Sequence, residues 1–404
     1  MSKRWNRTET WLTVLVIGVG GIILAVAGLW VYISATATPI HPDAAAIASV
    51  PAGSPAERWA ASITQAREAV RVAASAQNLP GVSVAVGVDD ALVWAEGFGW
   101  ADIERKRPVT PASRFRLGTA STVLTSAGAG LLLERGRLRL DEDIRTYVPE
   151  FPAKPWPVRP QQVMGHLAGI PSDGGDESPL FGEHCDRPVE ALTAFADREL
   201  RFEPGTQYRV SNFGWILVSA AIESASGDPF EIFMRKQVFE PLGMHDTVAE
   251  STPQPIPDAV TQYFPRFAAD PRYGPDLMAP LQFSCYFGAG SFLSTASDLV
   301  RFGIGMQSGA LLRPETISLL QTSQRLPSGA ETGYGLGWDL ETITINGRPT
   351  RVIGHDGEVQ GGRVATFMTL PDAHVTIAVL ANTSYADTTA IATRIAEAFL
   401  PARR

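Results

Sequence analysis

An uncharged and almost wholly apolar run, Trp11 to Ile33, constrains this chain more than any other sequence feature. As a helix, this run would be roughly 34 Å long, which is enough to cross the ~30 Å hydrocarbon core of a bilayer. Basic residues dominate the first ten positions, so we expect residues 1–10 to be a cytoplasmic tail and 11–33 a transmembrane signal-anchor. The rest of the chain is then exported to the periplasmic or extracytoplasmic side. The sequence Ala35-Thr36-Ala37 leaves open a cleaved signal peptide instead of a retained anchor.

The remaining chain has the composition of a folded globular protein. Hydrophobic residues make up 45% of the 404 positions and charged residues 19%, which excludes a disordered or collagen-like chain. The formal net charge of -8 argues against nucleic acid as a partner. Residues 34–56 are rich in proline and alanine and are predicted to be a linker. Residues 57–404 exceed the size at which one core stops growing, so we expect a domain with two lobes.

Hydrophobic periodicity predicts strands near both ends of this domain and helices between them. The predicted helices are 57–76, 119–135 and 388–400, and the predicted strands are 82–86, 92–98, 335–345, 350–354, 364–370 and 375–381. This order predicts an α+β fold, in which both chain ends build one antiparallel sheet. Helices would flank that sheet, and a mostly helical lobe would be inserted between its strands.

Six segments of the domain occur in an order that is typical of one family. They are FRLGTASTVLT at 115–125, VMGHLAGIP at 163–171, EPGTQYRVSNFGW at 203–215, GAGSFLSTASDLVRF at 288–302, GYGLGW at 333–338 and IGHDGEVQGG at 353–362. By these segments the domain resembles the serine beta-lactamase and penicillin-binding protein superfamily, in its class C and esterase-like branch. The resemblance implies the beta-lactamase/transpeptidase-like fold. It also implies acyl transfer to a serine, aided by a lysine three residues later, a tyrosine two residues before an asparagine, and a Lys- or His-x-Gly strand.

The chain departs from this catalytic pattern at three positions. Alignment of the first segment places Thr119 at the nucleophile position and Thr122 at the lysine position, and Val210 stands where the pattern has tyrosine. Asn212 and the sequence His355-Asp356-Gly357 keep the pattern. A hydroxyl has no basic form near neutral pH, and valine has no proton to transfer. None of the chain's four lysines lies three residues after a serine.

These departures favour a pseudoenzyme, a family member that no longer hydrolyses a substrate. Its pocket, formed by Thr122, Val210, Asn212 and Gly357, would bind a small peptide or acyl ligand, or the domain would act as a scaffold. No motif in the sequence indicates a particular ligand or oligomeric state.

Two active alternatives stay open. One is an esterase, amidase or peptidase in which Thr119 is the nucleophile and His355 is its base. The other recruits a nearby serine, Ser291. The same residues also have non-catalytic interpretations, in which Thr119 is a helix N-cap and His355 a hydrogen-bonded residue at the end of a strand.

No motif indicates a metal or a cofactor, and we expect neither. Glu183, His184, Cys185 and Asp186 are adjacent, but successive residues rarely converge on one metal, so we interpret them as a solvated loop. The only cysteines are Cys185 and Cys285. An oxidising compartment would allow them to pair, and two buried free thiols are the alternative.

Overall fold

The computed structural model describes residues 7–54, 56–171, 179–250 and 255–400. It begins with helix α1 (Arg7–Thr36), whose most apolar part has a mean hydropathy of 2.6 and is not buried inside the protein. Within the described ranges this is the one helix that is long and apolar enough to cross a membrane. It therefore fits either a membrane span or a signal sequence. Most of the predicted basic tail lies outside the described residues.

An eight-stranded antiparallel sheet joins the two ends of the chain that follows α1. Its strand order is β1-β3-β2-β13-β12-β11-β10, with β4 beside β3. The strands are β1 (Ser49–Pro51), β2 (Gly81–Val88), β3 (Ala91–Asp102), β4 (Arg107–Pro108), β10 (Asp339–Ile345), β11 (Arg348–Val359), β12 (Gly362–Leu370) and β13 (Val375–Ala381). At the centre, β2 pairs with β13, so that Val82 lies opposite Ala381 and Val88 opposite Val375. The predicted sheet built from both chain ends is confirmed.

Helices cover both faces of this sheet. On one face, α2 (Ala60–Ala76) packs with α9 (Thr388–Phe399), and Val70 and Ile395 lie in the core between them and the strands. On the other face, α7 (Ala296–Gln307) packs against β2 and β13. Because both faces are covered, β2 and β13 bury every residue, which explains their almost continuous apolar sequences.

A mostly helical lobe lies between β4 and β10 in the chain. Its helices are α3 (Ser121–Glu134), α4 (Pro160–Met164), α5 (Asn212–Ser226), α6 (Phe230–Met234), α7 and α8 (Pro314–Leu320). Its strands are β5 (Phe115–Arg116), β6 (Val248–Ala249) and β9 (Phe292–Ser294), which pair together, and the hairpin of β7 (Tyr263–Pro265) and β8 (Pro275–Leu277). Short helical turns include Gly118–Ala120, Pro179–Gly182 and Ser284–Ala289. Helices α3 and α5 are buried along most of their length, so they form the centre of this lobe.

Part of the predicted linker packs on the domain. Ser49–Pro51 form β1, which pairs with β3 at the edge of the sheet, and Ile47 is buried beside it. The Ile40 N–H donates a hydrogen bond to the Asn78 side chain at 2.7 Å. A strand of three residues is too short to show a hydrophobic period, which explains why composition alone predicted an unstructured linker here.

Cys185 and Cys285 form a disulfide with a Cα–Cα distance of 4.8 Å. The structure thereby decides between the two states that the sequence left open. The bond ties the chain after the turn Pro179–Gly182 to the turn Ser284–Ala289. Both of these turns contribute side chains to a cavity beside the end of β11.

Candidate functional site

A cavity of about 230 Å³ lies where the end of β11 meets the helical lobe. Its lining consists of Gly118, Thr119, Phe181, Val210, Asn212, Phe283, Tyr286, Ala289, Gly290 and the segment Glu358 to Gly361. The fold thus brings Thr119, Val210 and Asn212 together from distant segments. Thr122, His355 and Gly357 are not among the lining residues.

The Thr119 hydroxyl fastens the turn before α3 to the end of β11. It donates a hydrogen bond to the Asp356 carbonyl oxygen at 3.1 Å, and it accepts one from the Glu358 N–H at 3.0 Å. The interpretation of Thr119 as a helix N-cap is wrong, because the N-cap of α3 is Ala120, which makes no side-chain cap. Thr119 lies one residue earlier, in the turn Gly118–Ala120, and its hydroxyl bonds to a neighbouring strand instead.

Two glycines make this contact between the turn and the strand close enough. Gly118 has a φ of +55°, and a Cβ there would lie 2.1 Å from the Glu358 carbonyl oxygen. A Cβ at Gly357 would lie 1.9 Å from the Leu117 carbonyl oxygen. Gly357 is therefore needed for the close approach of the two backbones.

His355, on β11, has both ring nitrogens engaged by groups other than Thr119. Its Nδ1 is 2.6 Å from the Asp356 carbonyl oxygen, which can only accept, so this nitrogen carries the proton. Its Nε2 then accepts a hydrogen bond from the Tyr334 hydroxyl at 3.2 Å. This arrangement does not put a free imidazole nitrogen at hydrogen-bond distance from the Thr119 hydroxyl.

Tyr334 is buried and holds His355 in this orientation. Burial raises the pKa of Tyr334 well above its ordinary value, and the neighbouring Asp339 carboxylate adds to the effect. The phenol therefore stays protonated and acts as a donor to His355. Thr122 is 2% exposed and lies beside Tyr334, away from the cavity surface. The position expected for a catalytic lysine is thus filled by a buried hydroxyl.

The segment that carries Val210 and Asn212 is held in place by His166. The Ser211 N–H donates a hydrogen bond to His166 Nδ1 at 3.2 Å. Burial lowers the pKa of His166 to about 3, with a smaller contribution from a neighbouring histidine, so the ring is neutral and can accept this bond. Val210 is 52% exposed at the cavity, and Asn212 begins α5.

Glu358 supplies the one carboxylate among the residues that line the cavity in the described structure. Desolvation by the cavity walls raises the pKa of this carboxyl, and Arg363 opposes the shift. The pKa of Asp339, close to His355, is also raised by burial. Since no lining residue is basic, the cavity is neutral or negative, according to the ionisation of Glu358.

Three aromatic side chains, Phe181, Phe283 and Tyr286, form one wall of the cavity, which we call the aromatic wall. The Phe181 ring centroid is 5.3 Å from that of Phe283 and 5.2 Å from that of Tyr286. The Arg116 guanidinium lies 4.5 Å from the Phe283 ring centroid and forms an ion pair with Glu250. The disulfide links the two segments that carry these rings, so we expect this wall to be rigid.

The other residues singled out in the sequence have structural roles. Ser291 is buried, and its hydroxyl donates to the Phe287 carbonyl oxygen at 2.8 Å. His184 lies 3.2 Å from the Asp186 carboxylate on the surface, and Cys185 is in the disulfide. Across the described ranges, no group of three or more His, Cys, Asp or Glu residues is placed to hold a metal ion.

Sequence reasoning missed two polar residues of the site and its aromatic wall. Tyr334 belongs to the segment GYGLGW, and Glu358 directly follows Gly357, so both lie inside segments that the sequence had already marked. Their roles depend on which neighbours the fold gives them. The aromatic wall comes from irregular loops, which show no periodicity.

A sheet built from both chain ends, and a cleft between that sheet and a helical lobe, define the class of protein. The profile of the beta-lactamase family matches residues 60–400. This chain therefore belongs to the beta-lactamase family.

Several known proteins are similar to this chain over most of its length. The mitochondrial serine beta-lactamase-like protein LACTB of Mus musculus is 26% identical, over 72% of this chain and 68% of its own. Penicillin-binding protein 4* of Bacillus subtilis is 25% identical, over 66% of this chain and 60% of its own. The chain thus spans about two thirds of the length of these curated relatives. The octameric penicillin-binding protein homologue from Pyrococcus abyssi superimposes with a TM-score of 0.69 at 24% identity, covering 82% of this chain and 76% of its own. This likeness confirms the predicted fold.

Proposed function

We propose that this protein is a membrane-anchored, exported member of the beta-lactamase family whose cleft binds a small peptide or acyl ligand without hydrolysing it. The observation that carries the proposal is the state of the Thr119 hydroxyl. Its proton is directed at the Asp356 carbonyl oxygen, and its other bond comes from the Glu358 N–H. A threonine nucleophile needs a base within hydrogen-bond reach of its hydroxyl, and neither of these backbone groups is a base.

An active hydrolase would need a different arrangement of the same groups. The Nε2 of His355 would have to release the Tyr334 hydroxyl and come within hydrogen-bond reach of Thr119, although the Nδ1–H could keep its bond to the Asp356 carbonyl oxygen. The burial of Tyr334 and its raised pKa favour the existing bond. A covalent adduct of a serine-hydrolase probe at Thr119 would favour this alternative.

The cavity indicates the chemistry of the ligand. Its aromatic wall suits an apolar acyl chain or side chain, and the Asn212 amide and the Glu358 carboxylate suit amide N–H groups or a cation. Its volume, about 230 Å³, is below the usual range for a whole drug-sized ligand. We expect it to hold one apolar group and one adjacent polar group of a larger molecule.

Two features support anchoring and export. Helix α1 has the length and composition of a membrane span, and Lys3, Arg4 and Arg7 precede its apolar part. The Cys185–Cys285 disulfide is typical of an oxidising compartment outside the cytoplasm. We propose that the N-terminus is cytoplasmic and that the domain lies on the opposite, extracytoplasmic side.

Covalent probes test the absence of hydrolysis directly. The full-length protein in detergent is incubated with a fluorophosphonate and with a penicillin, and its intact mass is measured. We expect the mass to stay unchanged with both probes. A stoichiometric adduct at Thr119 or at any serine would overturn the proposal.

A pair of variants tests why the site is unreactive. The first carries Thr119→Ser alone, and the second adds Thr122→Lys and Val210→Tyr. We expect acylation by penicillin only in the triple variant, because only that variant regains both a base and a proton relay. Acylation of the single variant at a similar rate would show that the cleft already contains a working base.

A further inference from the structure

The C-terminal end of α1 is hydrogen-bonded to the β7–β8 hairpin of the folded domain. The Trp30 indole N–H donates a hydrogen bond to the Tyr273 hydroxyl at 3.0 Å. The Arg266 guanidinium donates to the Thr36 hydroxyl at 2.9 Å and to its carbonyl oxygen at 3.3 Å. Trp30 and Thr36 are about 9 Å apart along a helix. The hairpin therefore lies alongside the last turn and a half of α1.

Trp30 indicates the depth of this contact relative to a membrane. It lies near the outer end of the apolar run, where tryptophan prefers the boundary between hydrocarbon and headgroups. Tyr273 is hydrogen-bonded to it and so reaches the same level, and Phe267 packs on Tyr273 with ring centroids 5.8 Å apart. Arg266 lies at the C-terminal end of α1, where a cation is favoured by the helix dipole.

The charge of the hairpin indicates whether electrostatic or apolar contacts would hold it at a membrane surface. Between Tyr263 and Leu277 it contains two arginines and two aspartates, so its formal charge is zero. Arg272 is paired with Asp270 at 2.6 Å. Leu277 is 57% exposed. Attraction to anionic lipid therefore contributes little, and we expect aromatic and apolar contacts to dominate.

The hairpin is also continuous with the cleft. Six residues after Leu277, at the end of β8, the chain reaches Phe283 in the aromatic wall. On the other strand, Phe264 packs on Tyr385 with ring centroids 5.6 Å apart, and the Tyr385 hydroxyl donates to the Gln360 carbonyl oxygen at 3.5 Å. Gln360 lines the cavity, so the hairpin and the cleft lie side by side.

We propose that the β7–β8 hairpin is a membrane-seating surface. Its tip, from Arg266 to Tyr273, lies in the headgroup layer of the bilayer that α1 spans, and it holds the cleft beside the lipid. The inference rests on the retained anchor of the proposed function. It adds which face of the domain meets the membrane.

Depth-dependent quenching tests this placement in the full chain. The protein is reconstituted in phosphatidylcholine nanodiscs with an NBD fluorophore on Arg272→Cys, next to Tyr273. The native cysteines are paired, so the label attaches to the introduced thiol. Because Arg272 is exposed, the loss of its surface ion pair has little effect on stability. Nanodiscs with and without headgroup-region spin-labelled lipid are compared.

A label on Leu319→Cys provides the matched control. Leu319 is an exposed residue of α8, and its neighbour Ser318 lines a surface pocket with His374. His374 directly precedes β13, so this pocket lies at the start of the strand. At the opposite end of β13, the Asn382 carbonyl oxygen accepts a hydrogen bond from the N–H of Tyr263 in the hairpin. A strand of seven residues separates these ends by about 23 Å. The control label should therefore lie well away from the lipid.

We expect spin-labelled lipid to quench the label at position 272 at least about twofold more than the label at 319, at low and at high salt. Adding Arg266→Ala and Tyr273→Ala should remove most of this difference. Equal quenching at 272 and 319 would overturn the inference while leaving the anchor intact. Quenching that persists in the double variant would show that the contacts of Arg266 and Tyr273 with α1 do not hold the hairpin at the membrane. Loss of residues 1–37 from the mature protein would refute the anchor itself.

Discussion

The neutral, buried His166 makes the stability of the cleft depend on pH. Burial lowers the pKa of its imidazole from 6.5 to about 3, because the charged form would lose its hydration. The neutral ring accepts the Ser211 N–H and so fixes the segment that carries Val210 and Asn212. Once the ring is protonated, its Nδ1 becomes a donor and cannot accept that bond.

The sign and size of the effect follow from the two pKa values. Between pH 6.5 and pH 3 the unfolded chain binds one more proton at this position than the folded chain, so the free energy of unfolding falls as the pH falls. The loss is about 1 kcal/mol at about pH 5.5 and about 3 kcal/mol at about pH 4.5. The contribution of His166 is fully present above about pH 7.5 and is lost progressively toward the folded-state pKa.

The assay compares wild type with His166→Asn. Asparagine does not titrate, its side-chain oxygen can accept the Ser211 N–H, and it tolerates the φ of +58° found at this position. Urea unfolding of the full-length protein in detergent is followed by near-UV circular dichroism from about pH 8 to about pH 4.5. All other titrating groups are common to the two proteins. The advantage of wild type should therefore shrink on acidification by about 3 kcal/mol. An advantage that stays constant across this range would refute the reasoning.

Three further predictions concern the walls of the cleft. Thr119→Val removes both hydrogen bonds of the hydroxyl and should lower the free energy of unfolding by about 1–3 kcal/mol, with no change in ester hydrolysis; a loss of hydrolysis would assign Thr119 a chemical role. Replacing Cys185 and Cys285 together by serine opens a loop of 100 residues, and thermal and urea unfolding should show a loss of up to about 4.7 kcal/mol; unchanged stability would contradict this expectation. Isothermal titration calorimetry should show that hexanoyl-arginine amide binds more tightly than the uncharged hexanoyl-norleucine amide, increasingly so as the pH rises through the raised pKa of Glu358. This preference should disappear in Glu358→Gln. An unchanged preference in that variant would show that a group other than Glu358 binds the arginine side chain.

The elements with a clear period were predictable from the sequence, and contacts between distant segments were not. Almost continuously apolar strands such as 375–381 were located to the residue, because burial on both faces favours a nearly unbroken apolar run. Strand β11 was predicted to end at Gly354 but continues to Val359. Its second half, HDGEV, has weak strand propensity and is held by pairing with β12 and by the contact with Thr119.

The same limit applies to the site. The substitutions at positions 119, 122 and 210 were visible in the sequence, because a known pattern assigned a role to each of them. The partners of His355 were not visible, since Tyr334 is 21 residues away and meets it only in the folded protein. The disulfide is a similar case, because spacing alone cannot show that two cysteines are close.

The geometry also explains why threonine at position 119 is compatible with an intact cleft. The turn before α3 is held by backbone groups of β11, and threonine supplies both hydrogen bonds that fasten it. Serine at position 119 could make the same two bonds, but its side chain lacks the methyl group that restricts χ1, so it would leave them more readily. A nucleophile must leave at least one of these bonds in order to attack. Under the proposed function, the side chain that fastens this turn is a poor nucleophile, so a serine that reacts more readily at this position should lower the free energy of unfolding. The comparison of Thr119→Ser with wild type in urea unfolding measures that cost directly.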